Sequence, residues 1–304
     1  MKINDRKLTL KYRAKTFYFA SLFLPKEIKK DIENLYIFCR YIDDLGDDLN
    51  LNKTHSFKKL KIIRKQILKK RSTIPAVRNF INLMIKHKIN KSIPIELING
   101  IEYDLKKQVN IKTFEELIKY SYQVAGTVGF MFCKIIKVKD KKQILGGIQL
   151  GIAMQLTNIS RDVLEDLKMD RIYIPESMRS YKNNDKKRIL SNEIIKKKIS
   201  KDLLTLLNQA DLFYENAWNS IKMLKKRYGI PISLAAELYR KIGEKIKQKN
   251  GNIWEERIYV SLLEKLYFSL QAIYKLYFRK KLVFTTKVEN KVIFILKKIN
   301  VRFD

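Results

Sequence analysis

Two acidic segments carry the residues of this sequence whose types and spacing are best suited to chemistry. The first, residues 36–48, contains four aspartates, Asp43, Asp44, Asp47 and Asp48. Asp43 and Asp47 are four positions apart, as are Asp44 and Asp48, so a helix would place the members of each pair on one face. Carboxylates at this spacing repel each other. We therefore expect a neutralising partner, and a divalent cation is the natural candidate.

The same helical stripe extends towards the N-terminus. Tyr36, Arg40, Asp43 and Asp47 follow steps of 4, 3 and 4 residues, so an aromatic ring and a cation share a face with two carboxylates. Asp44 and Asp48 point towards a neighbouring face and are secondary candidates.

The second acidic segment, residues 155–166, has a similar pattern within an otherwise apolar stretch. Four polar residues follow steps of 3, 4 and 4 and so share one helical face: Gln155, Asn158, Asp162 and Asp166. Arg161 lies beside them. Mg²⁺ prefers oxygen ligands and usually keeps waters and substrate phosphates in its coordination shell. This segment therefore predicts a site for hydrated Mg²⁺ and phosphate.

The composition predicts an all-α chain that forms one domain over residues 1–304. Leu, Ile, Lys and Glu are abundant, whereas the sequence has only 10 Gly and 5 Pro. The length is sufficient for a substantial core. Residues 177–200 are rich in Lys, Asn and Ser and predict an exposed connection with a short helix. They do not divide the chain, because the helices after them repeat the apolar periodicity and need the earlier ones to bury it.

Apolar periodicity and helix-stop signals predict the elements that position these segments. The expected helices cover about residues 26–49, 56–70, 76–88, 94–104, 148–164, 201–227, 231–249, 255–278 and 288–299. Thr113 and Glu116 form a capping-box signature at the start of a further helix. In that helix Ala125, Gly126 and Gly129 would let a neighbour approach the backbone closely. For Gly46 two readings stay open, close approach of a neighbour or a frayed helix end.

The formal charge of +33 would usually suggest nucleic-acid binding. Lys, Ile and Asn are enriched together, however, as an AT-rich coding sequence would produce, and the lysines are spread along the chain. We therefore interpret the charge as a solvated surface and expect no nucleic-acid partner. A basic surface can also attract an anionic membrane or an anionic substrate.

The remaining signals favour a soluble cytoplasmic protein. Cys39 and Cys133 cannot form a disulfide framework, and their apolar contexts predict buried thiols in a reducing compartment. The N-terminus lacks the apolar core of a signal peptide, and no run reaches about 18 apolar residues. At most, we expect peripheral contact with the inner face of a membrane. His55 and His87 have no acidic or Cys neighbour at metal-ligand spacing, so we expect both at the surface.

Taken together, the motifs resemble those of the squalene/phytoene synthase family, which condenses prenyl diphosphates head to head. Tyr36-x-x-Cys-Arg-x-x-Asp-Asp-x-x-Asp47 resembles the first Asp-rich motif of that family. Tyr122-x-Val-Ala-Gly-Thr-Val-Gly129 resembles its central glycine motif. Gln155-Leu-Thr-Asn-Ile-x-Arg-Asp-Val-x-Glu-Asp166, continued by Arg171-Ile-Tyr-Ile-Pro175, resembles its second Asp-rich motif. The resemblance covers most of the chain and is strongest to bacterial phytoene synthases.

The resemblance implies a fold and a reaction. The fold would be an isoprenoid-synthase-type helical bundle with a central apolar channel, lined by residues such as Phe17, Phe19, Phe130 and Leu156. The reaction would join two geranylgeranyl diphosphates through prephytoene diphosphate to phytoene, releasing diphosphate. A C15 substrate giving presqualene diphosphate, dehydrosqualene or squalene is the first alternative. A non-catalytic basic helical protein that binds nucleic acid or membrane is the second.

The resemblance also implies cofactors and residue roles. Mg²⁺, with Mn²⁺ as the alternative, would bind Asp43, Asp47, Asn158, Asp162 and Asp166. NADPH is not expected, because deprotonation to phytoene needs only the metal and no strand-associated Gly-x-Gly-x-x-Gly is present.

Other residues would bind the substrate. The expected diphosphate ligands are Arg40, Arg161, Arg257, Gln155 and Asn158. Tyr36, Tyr122 and Tyr239 would donate to diphosphate or face a carbocation, and ordinary core packing is the alternative for each.

The N-terminal stretch contributes Arg13, Thr16 and Phe17 to the expected substrate contacts. Arg13-Ala14 stands where relatives often carry His-Ser or Ser-Ser, and Thr16 replaces a common Ser. Arg171 is expected at the rim of the site.

Overall fold

Helices form almost all the regular structure in the computed structural model, which describes residues 15–47, 52–182, 185–278, 286–299 and 301. In chain order the helices are α1 (Lys15–Ser21), α2 (Lys26–Asp47), α3 (Lys53–Leu68), α4 (Pro75–Lys86), α5 (Ser92–Asp104), α6 (Phe114–Ser121), α7 (Thr127–Ile135), α8 (Lys141–Arg161), α9 (Val163–Lys168), α10 (Lys186–Ser191), α11 (Glu193–Lys222), α12 (Lys226–Gln248), α13 (Leu262–Phe278) and α14 (Thr286–Lys298). The all-α prediction is confirmed. In the described residues, no helix is long and apolar enough to cross a bilayer.

The described strands form one small parallel ladder between β1 (Val109–Asn110) and β2 (Arg171–Ile172). Val109 pairs with Arg171 and Asn110 with Ile172. Between α9 and β2 the chain reverses at Asp170, whose φ of 58° lies in the left-handed region, where Asp is better tolerated than most residues. The ladder brings the end of the second acidic segment next to the end of α5.

Helix α8 lies at the centre of the bundle and contacts α7, α11 and α12. Most of its residues from Ile144 to Ser160 are buried. On one side it packs against a π-helical turn, Tyr122–Gly126, that joins α6 to α7. Backbones touch there: a Cβ on Gly129 would lie 2.1 Å from the carbonyl oxygen of Gly147, and a Cβ on Gly151 would lie 2.4 Å from that of Ala125. The predicted close approach at this glycine motif is confirmed.

Several helix boundaries differ from the prediction for local reasons. Helix α11 begins at Glu193, not near residue 201, because the Asn192 side chain caps it by accepting from the Ile195 N–H at 3.0 Å. Helix α13 begins at Leu262, not near residue 255. There Ser261 and Glu264 form a capping box, with Ser261 N donating to Glu264 Oε2 at 2.7 Å. Helix α12 starts before Pro231, which lies inside it.

Three further predictions need correction or completion. His87 is not a surface residue: its side chain is 4% exposed, and its Nε2 lies 2.8 Å from Asp31 Oδ2. The connection at 177–200 does contain a short helix, α10. It is not exposed throughout, because Tyr181, before that helix, and Ile189, within the helix, are buried. Cys39 and Cys133 are free thiols, the first half-buried and the second buried.

Helix α13 also departs from the expectation that the later helices bury their apolar stripes. Its buried residues are Lys265, Ser269 and Ala272, whereas its leucines and tyrosines are largely exposed. The capping box and ion pairs to α12 hold it in this orientation.

Candidate active site

The first acidic motif lies on the last three turns of α2, where Arg40 neutralises two of its carboxylates. Arg40 Nη1 donates to Asp43 Oδ2 at 3.0 Å, and its Nη2 forms a short ion pair with Asp44. Tyr36 lies one turn earlier and is half-buried. The repulsion that the spacing predicts is therefore relieved in part by an arginine of the same helix. Asp48 falls outside the described residues.

The second motif spans the junction of α8 and α9. Asp162 interrupts the helix, yet the hydrogen bonds from Asp162 N to Asn158 O at 2.8 Å and from Asp166 N to Asp162 O at 2.9 Å keep the helical rise. The predicted stripe of Asn158, Asp162 and Asp166 therefore survives the interruption. Asn158 Nδ2 lies 3.5 Å from Gln155 Oε1, so this pair also stays together.

Two arginines surround the carboxylate of Asp162. Arg161 Nε donates to Asp162 Oδ1 at 2.7 Å, and its Nη2 makes a second, short contact with Oδ2. Arg257 approaches from the segment after α12, with its Nη2 3.0 Å from Asp162 Oδ1. Arg257 stays 58% exposed on its side chain, so it lies where a ligand can reach it.

Arg171 joins the two acidic motifs. Its Nη1 donates to Asp47 Oδ1 and its Nη2 to the carbonyl oxygen of Gly46, both at 2.7 Å. Arg171 is buried, so the prediction that it lies at the rim is wrong. A Cβ on Gly46 would lie 2.9 Å from Ile101, so this glycine serves a close approach of α5 and not a frayed end.

Asp104, at the end of α5, is a buried acid behind the two motifs that the sequence patterns did not reveal as part of the site. It accepts hydrogen bonds from Tyr120 Oη at 2.9 Å and Tyr173 Oη at 2.7 Å. Burial raises its pKa to about 6, although Arg171 and the two tyrosines act in the opposite direction. An Asp closing an apolar helix is the only local signal, and it does not identify the tyrosines or the arginine.

The electrostatics show that the acids lie close to one another. Desolvation and the nearby carboxylate of Asp47 raise the pKa of Asp43 above its ordinary value. Desolvation and Asp162 raise the pKa of Asp166, whereas Arg171 lowers it. Asp43 is nevertheless 43% exposed on its side chain. A carboxylate that is partly exposed in this way can be reached by a ligand.

The three predicted tyrosines occupy different environments. The ring of Tyr239 on α12 packs against that of Phe17 on α1, with 4.8 Å between centroids and 39° between ring planes. The Arg161 guanidinium opposes the rise that burial causes in the pKa of Tyr239. Tyr122 is fully buried, and its hydroxyl has no hydrogen-bond partner among the described residues. No described contact links Tyr122 to the acidic residues.

The other predicted substrate residues are distributed as follows. Thr16 and Phe17 are half-buried on α1, and Arg13 lies outside the described residues. Phe130 and Leu156 are fully buried in the main hydrophobic core. The course of a substrate channel stays a prediction.

The oxygen donors of the site fit Mg²⁺. Asn158 Oδ1 is buried and lacks a hydrogen-bond partner among the described residues, and an amide oxygen in this state is suited to a cation. Within the described ranges, no three His, Cys, Asp or Glu side chains converge tightly enough to hold a metal by themselves. Mg²⁺ typically takes one or two carboxylates and completes its shell with water and substrate phosphate, so this looser arrangement agrees with it.

Sequence comparison finds similarity to bacterial proteins that are named phytoene synthase. The chain is 29% identical over 269 residues to a 15-cis-phytoene synthase of Enterobacter agglomerans, covering 85% of this chain and 90% of the relative. It is 26% identical over 279 residues to a phytoene synthase of Pseudescherichia vulneris, covering 87% and 88%.

Solved structures share the fold. A dehydrosqualene synthase in complex with a ligand superimposes with a TM-score of 0.72 at 23% identity, covering 88% of this chain and 93% of that one. A squalene synthase of Alicyclobacillus acidocaldarius gives a TM-score of 0.68 at 20% identity, covering 82% and 93%. The helical bundle is therefore of the isoprenoid-synthase type.

The family assignment rests on most of the chain and not on isolated motifs. The sequence model of squalene/phytoene synthases matches residues 10–264, a range that includes both Asp-rich motifs, the glycine motif, Arg171 and Arg257. The chain therefore belongs to the squalene/phytoene synthase family of prenyltransferase-type enzymes.

Proposed function

We propose that this protein condenses two geranylgeranyl diphosphates head to head (1′-1), through prephytoene diphosphate, to phytoene in carotenoid biosynthesis. The observation that carries the proposal is the ion pair between Arg171 and Asp47, because Arg171 follows the second Asp-rich motif by five residues and so links it to the first. The relatives named phytoene synthase support the C20 substrate. In each of the two steps one C–O bond breaks, one diphosphate leaves and one proton is lost.

The residues around the two acidic motifs match the two demands of this reaction, which are binding a departing diphosphate and shielding a carbocation. Arg40, Arg161 and Arg257 are charge-assisted donors suited to phosphate oxygens, and each lies beside a motif carboxylate. The paired rings of Phe17 and Tyr239 would offer an aromatic face to a cation. Tyr36, one turn from Arg40, extends the same stripe.

Asp43, Asp47, Asn158, Asp162 and Asp166 would hold Mg²⁺ in this proposal. When bound, the metal would offset the charge that develops on the leaving diphosphate. The chain's own part is to present these oxygens on two helical walls that Arg171 keeps together. The paired arginines limit repulsion between the carboxylates.

The test is a product assay with purified protein, geranylgeranyl diphosphate and Mg²⁺, with the chain length of the hydrocarbon read by mass spectrometry. We expect a C40 triene-centred product, and activity lost by about a hundredfold or more in Asp43→Asn and Asp162→Asn, since such groups stabilise developing charge. Asp170→Asn is the matched control, because Asp170 is an exposed acid of the same region.

The same assay separates the alternatives. A C30 product from farnesyl diphosphate, with no C40 product, would show a C15-using enzyme. The absence of product from either substrate would overturn the proposed function.

A further inference from the structure

We propose that the exposed face of α13 docks onto an anionic lipid bilayer. The eight exposed residues of this helix are all apolar or aromatic: Leu262, Leu263, Leu266, Tyr267, Leu270, Tyr274, Tyr277 and Phe278. Their exposed fractions run from 45% for Tyr277 to 80% for Leu263. A continuous apolar face of this size exceeds what soluble proteins usually leave in water and marks an interaction surface.

The orientation of α13 is fixed by its polar side. Glu264 forms an ion pair at 2.7 Å with Lys245, and Lys275 forms one at 2.5 Å with Glu237, both partners being on α12. Glu237 is only 1% exposed on its side chain, and without Lys275 it would keep the longer contact with Lys241 at 3.7 Å, so losing the shorter pair would be costly. A rotation of the helix that hid the leucines would break these pairs, so the apolar face is held outward.

Basic residues border one end of the apolar face. Lys226 Nζ lies 5.4 Å from the centroid of the Tyr277 ring, and Lys225 and Arg227 beside it are exposed. An apolar helix face with tyrosines and a basic border is typical of helices that lie in the plane of a membrane interface.

The charge selects a lipid surface over a second copy of the chain. Two copies meeting through α13 would bring together two chains that each carry a formal charge of +33, and like charges repel. Anionic head groups complement the same border, because juxtamembrane Lys and Arg are attracted to them.

The surface begins near the second acidic motif. Arg257 contacts Asp162, and Tyr259, two residues later, is 68% exposed. This part of the inference rests on the proposed function: an apolar prenyl chain and its hydrocarbon product partition into a bilayer, and α13 would place the acidic site at that boundary.

The test is flotation of the purified protein with vesicles of mixed phosphatidylcholine and phosphatidylglycerol. We expect the wild-type protein to float and to bind vesicles of phosphatidylcholine alone more weakly. The double variant Leu263→Gln/Leu270→Gln should bind the mixed vesicles roughly tenfold or more weakly, because two leucines leave the hydrocarbon boundary. The control Ile85→Gln/Ile194→Gln, which changes exposed isoleucines on α4 and α11, should bind as the wild type does.

Equal binding by wild type and the α13 variant would overturn the proposal. A second result would also overturn it: the wild type fails to bind vesicles but self-associates in sedimentation velocity, and the α13 variant does not self-associate. A second copy of the chain would then cover the face. Turnover of detergent-dispersed geranylgeranyl diphosphate should be the same in both variants. Vesicle binding without any turnover would contradict the proposed function and leave the docking surface standing.

Discussion

The guanidinium group of Arg171 donates to the carboxylate of Asp47 at 2.7 Å across 124 positions of sequence. The same side chain also holds the carbonyl oxygen of Gly46 and lies close enough to Asp104 and Asp166 to oppose the rise in their pKa. One buried cation thus compensates acids from α2, α5 and α9. The contacts of Arg171 therefore join the two motifs into one site.

Replacing this cation should destabilise the fold. Arg171→Gln leaves the buried acids around it without a counter-charge, so we expect a loss of about 3 kcal/mol in the free energy of unfolding. This value is at the low end for a buried pair because Asp47 is partly exposed. Denaturant unfolding measures it. The control Lys249→Gln removes an exposed ion pair with Glu256, whose side chains are 45% and 67% exposed, and should change the free energy of unfolding very little. Equal losses would contradict the role given to Arg171.

Asp104 should make stability depend on pH. Its pKa of about 6 in the folded state lies above the ordinary value of 3.8, so the folded protein binds this proton more tightly than the unfolded chain does. Stability should therefore rise as the pH falls from 6 to 4. Since one pKa unit is worth about 1.4 kcal/mol, the gain from this group is about 3 kcal/mol.

Asp104→Asn should remove that part of the pH dependence. The measurement is the free energy of unfolding of the wild type and of this variant between pH 4 and pH 7. The difference between the two values at each pH removes the contribution of the other titrating acids. Parallel curves would show that Asp104 does not titrate in this window. Tyr120→Phe, which removes a donor to Asp104, should move the window to higher pH.

Tyr122→Phe distinguishes a role in diphosphate or cation binding from core packing. The hydroxyl is buried without a partner among the described residues, so its removal should leave the free energy of unfolding unchanged or raise it by about 1 kcal/mol. If the hydroxyl donates to diphosphate, kcat should nevertheless fall by about tenfold or more.

The control for this prediction is Tyr214→Phe. Tyr214 Oη is within 3.1 Å of Thr157 Oγ1, so this variant should lose about 1 kcal/mol of stability through the broken hydrogen bond. Unchanged kcat in Tyr122→Phe would leave core packing as the role of Tyr122.

Gly129→Ala should be strongly destabilising. Its Cβ would lie 2.1 Å from the carbonyl oxygen of Gly147, which forces α7 and α8 apart, and overpacking of this kind costs about 3 kcal/mol. Gly229→Ala, on α12, meets nothing closer than 3.4 Å and should be neutral or stabilising by about 1 kcal/mol through helix propensity. Thermal unfolding of the pair checks the contrast, and similar melting temperatures would contradict the backbone contact.

The sequence by itself determined what is local along a helix. The steps of three and four that put Asp43 with Asp47, and Asp162 with Asp166, depend only on helical rise and were correct. The Thr113 cap is observed, with Glu116 N donating to Thr113 Oγ1 at 3.2 Å, because a cap involves neighbours in sequence. The glycine motif predicted close packing, because residues without a side chain let the backbone of a neighbouring helix approach.

Only the tertiary structure decided which faces meet. Helical periodicity says which residues share a face but not what that face touches. The partners of Arg171, the burial of Asp104 and the contact of His87 with Asp31 therefore followed from packing over long sequence separations. Helix α13 is the clearest case: two ion pairs to α12 and the packing of Ala272, Ile273 and Leu276 against the core fixed its inner side and left a second apolar side facing out.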